Sequence, residues 1–424
     1  MKQSNIGIGD IGLYIPTPRM DMTTLMRHRA ETHPELEAIL NRAIDKTGQA
    51  SFRFPEPWED TSSLAGNAAA VALDRIPENE RGKIRYIAVG TETAVDHSKP
   101  VASYVQGMLL NAGYPLGHAM TTFELKHACA GGTAALLSTA AMLSFSGDPD
   151  ERALAICSDI ARYDAPSTAE ITQGAGAAAL VVEKNPRLLE MELEYVGMYA
   201  SDVDDFFRPL DSTTAKVKGR YSMECYQEGL NEAFVDYCNR SGGTTCTVVD
   251  ETDYIALHVP FAKMPEVAVR KLLKDTCLKD ADAVEEFLER THFLEAMYLS
   301  RGFGNLYTGS LYAYLVALLH QEYRRIGSDI VGKRILIASY GSGNTMFVFS
   351  TTVAPRAPEV IETWDIAGLE SQSRSASFSE YLNWLARPKD LSAWRNLLEG
   401  ATPDSGLFYL KDFGDTGLRI YDRA

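Results

Sequence analysis

Cysteine is scarce in this chain. There are six in 424 residues, and none form a CxxC pair. That excludes a disulfide-stapled scaffold and a zinc ribbon. It points instead to free thiols in a reducing cytoplasm, the compartment expected for this chain. Long apolar runs are missing as well. No stretch approaches the roughly 18 uninterrupted apolar residues of a membrane-spanning helix, so no membrane partner is expected. The opening segment, MKQSNIGIGDIGLYIP, is short and broken by Asp10, which suits a first strand better than a signal peptide. Positive charge is in deficit: 41 Lys and Arg face 57 Asp and Glu, a net charge of −16. Such a chain repels a polyphosphate backbone at long range, which argues against nucleic acid as a partner. A local basic patch can still hold one phosphorylated carrier. Disorder is excluded too, because 45% of the residues are hydrophobic and only 23% are charged.

What is present is an alternation of strand-like and helix-like segments. The chain is roughly two to three times the usual domain size, so two domains, or two halves around one core, are expected. Residues 6–15, 84–90, 121–125, 153–157 and 174–182 read as strands, and 62–73 and 101–112 as helices. The order continues with a long amphipathic helix at 222–239, a strand ending at 255–258, a helix over 260–273, an apolar helix over 304–319 and a strand at 334–339. QGAGAAALVVEK (173–184) and SYGSGNTMFVFSTT (339–352) are both Gly-rich and both run into a hydrophobic strand near the end of a half. That is a weak sign of duplication, and two unrelated glycine turns explain it equally well. Residues 361–424 are less periodic, hold Trp364, Trp384 and Trp394, and look like an addition packed on the core. The pattern is that of an α/β fold.

Several residues sit where chemistry is done. Cys129, in ACAGGTAAL, opens a helix of small residues. Unpaired N–H groups and the helix dipole at such a terminus favour a thiolate. Gly131 and Gly132 let substrate or neighbouring backbone come close. A buried structural cysteine fits the same string. His258 emerges at the end of a strand, where open α/β sheets place their sites, and Pro260 keeps it on a loop. It is equally a satisfied packing residue. Glu92 leaves the strand 84–90 between two threonines, as a general acid or base does, or as a loop carboxylate does. Asn305 either caps a helix or donates to a carbonyl, and Ser342 and Asn344 are candidate donors beside the same pocket. Phe206 and Phe207 suit the lining of a tunnel or core packing.

These strings together resemble the 3-hydroxy-3-methylglutaryl-CoA synthase family of the thiolase superfamily, including its polyketide-pathway members. The resemblance rests on GTETAVDHSKP (90–100), ELKHACAGGTAAL (124–136), CSDIARY (157–163), QGAGAAALV (173–181), KGRYSMECY (218–226), HVPFAKM (258–264), GNLYTGSLY (304–312) and SYGSGNTMFVFS (339–350). They occur in the family's order. FYLKDFGDTGLRIY near the C-terminus looks like its closing segment.

The resemblance implies an α/β fold, a thiolase-like five-layer α-β-α-β-α sandwich built from two similar halves. One half, 1–185, carries the nucleophile. The other, 186–355, carries the histidine, and 356–424 is an extension on the core. By the same resemblance Cys129 is acylated by the acetyl donor, His258 positions the acetoacetyl thioester, and Glu92 is the general acid/base. Asn305 and Ser342 bind the acetoacetyl group, Lys263 belongs to the CoA-binding region, and Asp159 and Tyr163 line or support the acyl site.

The implied activity is an acyltransferase of the mevalonate (isoprenoid) pathway that joins acetyl and acetoacetyl-CoA into 3-hydroxy-3-methylglutaryl-CoA. The alternative is a polyketide β-branching enzyme acting on acyl-carrier-protein thioesters. A ketoacyl synthase III or thiolase is more distant, since those relatives lack a glutamate where Glu92 stands. No metal or redox cofactor is implied, coenzyme A thioesters being substrates, and a cytoplasmic homodimer is expected. The chain departs from the family at Ala130, where a tyrosine is common. The loss of that ring beside the thiol alters pocket shape or water access. His97 within HSKP is a second, smaller departure.

Overall fold

The structure, a computed structural model, describes residues 5–424 apart from 279, 387 and 389. Its main sheet has ten strands, here β1 (Ile6–Tyr14), β2 (Ile84–Gly90), β3 (Thr121–Leu125), β4 (Arg152–Ala161), β5 (Gly174–Lys184), β6 (Leu189–Met191), β7 (Gly197–Ala200), β8 (Tyr254–Leu257), β9 (Arg334–Gly341) and β10 (Thr345–Val353). Strands β4 and β5 are buried along almost their whole length, as strands covered on both faces must be.

The pairing repeats itself. In the first half β2 runs parallel to β4, which is antiparallel to β5, which is antiparallel to β1. In the second half β8 runs parallel to β9, which is antiparallel to β10, which is antiparallel to β7. Strand β6 pairs with both β1 and β10 and joins the halves into one hydrogen-bonded ladder. The two Gly-rich strings compared above therefore lead into equivalent strands, β5 and β10. The first half has one further strand, the edge strand β3.

Six helices complete the layers. Helices α1 (Thr61–Asp74) and α2 (Val101–Asn111) cover the outer face of the first half. Asp60 starts α1 with a capping box, its carboxylate accepting from the Ser62 and Ser63 N–H groups at 2.9 and 3.0 Å. Helices α4 (Gly219–Ser241) and α5 (Lys263–Thr276) cover the outer face of the second half. Between the halves lie α3 (Gly131–Ser144) and α6 (Ser310–Ile326). Helix α6 is buried without interruption from Ser310 to Leu319, because a helix held between the two halves of the sheet has no wet face. The Thr133 and Tyr312 hydroxyls meet at 2.8 Å and tie the two inner helices together.

The layers come very close. A Cβ on Gly12 would lie 2.5 Å from the Ala68 carbonyl oxygen of α1, and one on Gly197 would lie 2.5 Å from the Tyr237 N–H nitrogen of α4. The same device thus seats the outer helix in each half. The five-layer arrangement expected from the resemblance is present.

Three expectations are corrected. The apolar helix begins at Ser310, not 304, because Gly304 has φ of +83° and Tyr307–Gly309 forms a tight 3-10 turn. Helix α5 begins at Lys263 rather than 260. The cysteines are not all free: Cys246 and Cys277 form a disulfide across 31 residues, with Cα atoms 5.0 Å apart. Local spacing gave no sign of it, since the two meet only when the helix Thr245–Asp250 docks against the end of α5.

The C-terminal segment packs on the first half. Its hairpin, Phe408–Phe413 with Arg419–Arg423, lies over α1, where Asn67 exchanges hydrogen bonds with the backbone of Phe408 at 2.7 and 3.0 Å.

Candidate active site

The C-terminal ends of β2 and β8 are equivalent in the two halves and lead to a cavity of about 560 Å³, which His258 lines and which Glu92 meets through its contact with Cys129. Glu92 leaves β2, and His258 follows β8. Cys129 sits at the cavity floor, at the start of α3, with a relative exposure of 8%.

Helix α3 is pressed against β2 because glycines stand on both sides. A Cβ on Gly90 would overlap the backbone of Gly131 and Gly132, and a Cβ on Gly132 would lie 2.5 Å from the Thr308 hydroxyl oxygen. The glycines thus admit neighbouring backbone, one of the two uses expected of them. Opposite, a Cβ on Gly341 would lie 2.5 Å from the His127 carbonyl oxygen and 2.8 Å from the Ala130 nitrogen. The loop after β9 therefore closes directly onto the cysteine turn. Ala130 is fully buried in that contact.

Cys129 Sγ donates to Glu92 Oε1 at 3.6 Å. Glu92 is held from three other directions. Its backbone N–H donates to Asp159 Oδ1 at 2.9 Å, Arg208 Nη2 donates to its Oε2 at 3.2 Å, and Arg208 Nη1 donates to its backbone carbonyl at 2.6 Å. Burial pushes the Glu92 carboxyl up to about 8, against the lowering effect of Arg208, with the negative charge of Asp159 adding to the rise. A carboxyl poised there serves both as acid and as base near neutral pH. Asp159 is raised to about 6, burial again outweighing the Thr93 and Thr91 hydroxyls and the Glu92 N–H that bond to it.

The thiol does not match its expectation. Burial, then the charges of Glu92 and Asp159, push the Cys129 thiol well above its ordinary value, so the resting form is the thiol. The N–H groups at the start of α3 are also taken. Ala130 donates to the His127 carbonyl, Gly131 to the Ala128 carbonyl, and Gly132 to the Thr308 hydroxyl at 2.6 Å. These three groups are thus not the unpaired donors that the sequence suggested, although the dipole of the terminus remains.

His258 is 1% exposed, and its backbone N–H continues the β8–β9 ladder with a 2.9 Å bond to the Ala338 carbonyl. Its Nδ1 is buried without a partner. Burial pulls its pKa down to about 3, so the imidazole is neutral at physiological pH.

Asn305 does the first of the two things foreseen for it, the cap. Its Oδ1 caps the following turn, accepting from Tyr307 N–H at 2.8 Å and Ser310 Oγ at 3.2 Å. Its Nδ2 faces the Tyr163 hydroxyl at a long 3.5 Å. Asn305, Tyr163 and Ser342 all line the cavity.

The remaining candidates separate. Asp159 supports the Glu92 turn but does not line the cavity. Asn344 is not a cavity donor, because it is tied to Ser201 by three hydrogen bonds. Phe206 lines the cavity, whereas Phe207 is 47% exposed and does not. Lys263 is exposed outside the lining, its Nζ donating to the Asp45 carbonyl at 2.8 Å. It stands near Arg42 and Lys46, which form part of the cavity rim. Two residues were missed, Arg208 and Tyr307. Tyr307 lay inside a quoted string and Arg208 next to Phe207, but an arginine after two phenylalanines and a tyrosine in an apolar turn carry no chemical signature until the fold brings them to the site.

The fold and this site define a condensing acyltransferase of the thiolase superfamily. Sequence models of the hydroxymethylglutaryl-coenzyme A synthase N-terminal and C-terminal parts match residues 2–186 and, in two overlapping segments, 189–295 and 281–424. A hydroxymethylglutaryl-CoA synthase from Enterococcus faecalis is 31% identical over 340 residues, 80% of each chain. A solved structure of MvaS in complex with 3-hydroxy-3-methylglutaryl coenzyme A covers 100% of both chains at 31% identity, with a TM-score of 0.86. The HMG synthase of the curacin biosynthetic pathway, solved with its holo donor carrier protein, covers 99% of this chain at 24% identity and a TM-score of 0.82, which is a likeness of fold. The chain belongs to the hydroxymethylglutaryl-coenzyme A synthase family.

Proposed function

We propose that Cys129 takes an acetyl group from acetyl-CoA and that Glu92 and His258 direct its condensation with acetoacetyl-CoA to 3-hydroxy-3-methylglutaryl-CoA. One observation carries the reading: the Cys129 thiol is hydrogen-bonded to a carboxyl of pKa about 8 at the floor of a cavity whose rim is cationic.

The steps follow from the contacts. Sulfur attacks the donor thioester and its proton goes to the departing CoA sulfur, so that CoA leaves as the thiol. The Glu92 carboxylate then removes a proton from the acetyl methyl. The resulting carbanion equivalent attacks the acetoacetyl ketone, and Glu92 returns the proton to the new alkoxide. Neutral His258 hydrogen-bonds to the acceptor through its ring, with Asn305 and Tyr163 as further polar contacts. Water cleaves the bond to Cys129, releasing the free carboxylate and the thiol. Each of these steps moves protons and acyl groups, and none transfers an electron.

Coenzyme A is the favoured carrier, because Arg42 and Lys46 on the cavity lining, with Lys263 outside it, suit its phosphates. A carrier-protein thioester is the second reading, and it rests on fold likeness alone. The discriminating experiment offers labelled acetyl-CoA and acetyl-carrier protein in parallel, with acetoacetyl-CoA as acceptor. Product from acetyl-CoA supports the proposal. Labelling of Cys129 from the carrier protein alone overturns it.

We also infer a homodimer. The outer edge of β3 is unpaired among the described residues, and an exposed edge of this kind invites pairing. Light scattering that returns a mass near one 46.7 kDa chain sinks this.

A further inference from the structure

A hydroxyl group of the C-terminal extension reaches toward the acyl cavity. Residues Thr168–Thr172 form a 3-10 segment that makes part of the cavity wall, with Thr168, Ala169 and Thr172 facing inward. Glu170 of the same segment faces the other way and is completely buried. Arg29 grips its carboxylate with two hydrogen bonds, at 2.5 and 3.1 Å. Tyr381, on the helix Phe378–Leu385 of the extension, donates its hydroxyl to Glu170 Oε1 at 2.7 Å. That hydroxyl also accepts from Gln173 Nε2 at 2.7 Å.

Gln173 passes the connection on to the pocket. Its side-chain oxygen accepts from the Tyr163 N–H at 3.1 Å, and its carbonyl accepts from the Asn305 N–H at 3.3 Å. Tyr163 and Asn305 are the polar residues that face the acyl group in the proposed function. Tyr381, Glu170 and Gln173 are all fully buried, so water does not replace a lost partner readily.

We propose that Tyr381 is a positioning residue for the acceptor: its hydroxyl fixes Glu170 and Gln173, and through them the wall segment, Tyr163 and Asn305. The inference rests on the functional reading above. It makes the extension part of the catalytic architecture rather than a cover on the core. The ring of Tyr381 packs edge-on against Phe52 and Phe54, at centroid distances of 5.6 and 5.9 Å, and none of that packing needs the hydroxyl.

Tyr381→Phe therefore keeps the packing and deletes only the link. The kcat/KM for acetoacetyl-CoA falls roughly tenfold, the equivalent of one good hydrogen bond. The rate and amplitude of Cys129 acetylation stay within about twofold, since the contacts of Cys129 with Glu92 are untouched. The control is Leu398→Ala. Leu398 lies in the same extension, packed with Leu410 and Phe413 away from the wall. That variant lowers the melting temperature without changing kcat/KM.

Wild-type kcat/KM in Tyr381→Phe overturns the proposal, as does an equal kinetic loss in Leu398→Ala. Wild-type enzyme that does not turn over the CoA pair overturns the functional reading instead. The ratio of Tyr381→Phe to wild type, measured with carrier-bound acetoacetyl groups, then decides the role of Tyr381 by the same criterion.

Discussion

Replacing Glu92 by glutamine isolates the proton-transfer chemistry from everything else the residue does. The amide matches the carboxylate in size, and its oxygen still accepts from Arg208 at the 3.2 Å position. The backbone anchor to Asp159 at 2.9 Å does not involve the side chain. What disappears is a group that titrates near 8 and its negative charge. The charge of Glu92 is one of the causes that hold the Cys129 thiol high, so its removal does not hinder sulfur attack. Acetylation therefore survives. Condensation loses its base and its acid together, and a positioned proton-transfer group contributes roughly 10²–10⁴ in rate. That is about 2.7–5.4 kcal/mol in barrier height.

The assay separates the two steps. Rapid quench with labelled acetyl-CoA counts acetyl-enzyme, and acetoacetyl-CoA is then added in a single turnover. Acetylation removes the thiol as a titrating group, so the pH profile of the second step belongs to Glu92. The wild-type rate rises with pH through about 8 as the carboxylate forms, and the glutamine variant is slow and flat. A glutamine variant that condenses at the wild-type rate refutes the reasoning. So does loss of the acetyl burst with an unchanged melting temperature.

Four other outcomes are expected. Cys129→Ser folds with a melting temperature close to wild type but takes no label from acetyl-CoA; equal labelling of both chains places the acyl group on another residue. Arg208→Met removes the cation that lowers the Glu92 pKa, so the midpoint of the condensation profile moves above 8, and an unmoved midpoint shows that Arg208 does not tune Glu92. Gly90→Ala forces its methyl into the backbone of Gly131 and Gly132, which costs roughly 1–3 kcal/mol or more in urea unfolding and lowers the acetylation rate, because Cys129 shifts with its helix. Glu59 has a folded-state pKa raised by burial from 4.5 to about 7, so its contribution is fully present below 4.5 and is lost as pH rises through 7. Wild type loses up to about 3 kcal/mol of stability over that window, and Glu59→Gln does not, as unfolding at both ends of the window reports.

The sequence alone determined the class of fold and the main members of the site. The strands 84–90 and 121–125 were legible to the residue, but for different reasons: the first is a mostly buried β-branched and small run, whereas the second is a half-exposed edge strand marked only by its β-forming residues. Cys129, His258 and Glu92 were legible because each stands at the end or start of an element, and recurring strings placed them in a family. Local pattern cannot report which groups meet across the interior. Only the tertiary structure brought Arg208 to Glu92, Tyr381 to Glu170 and Cys246 to Cys277, pairs separated by 116, 211 and 31 residues. It also reversed the charge state expected at Cys129. A helix terminus favours a thiolate when its N–H groups are open and water is near. Here those groups bond to His127, Ala128 and Thr308, and two buried carboxyls stand beside the sulfur, so desolvation and like charge outweigh the dipole.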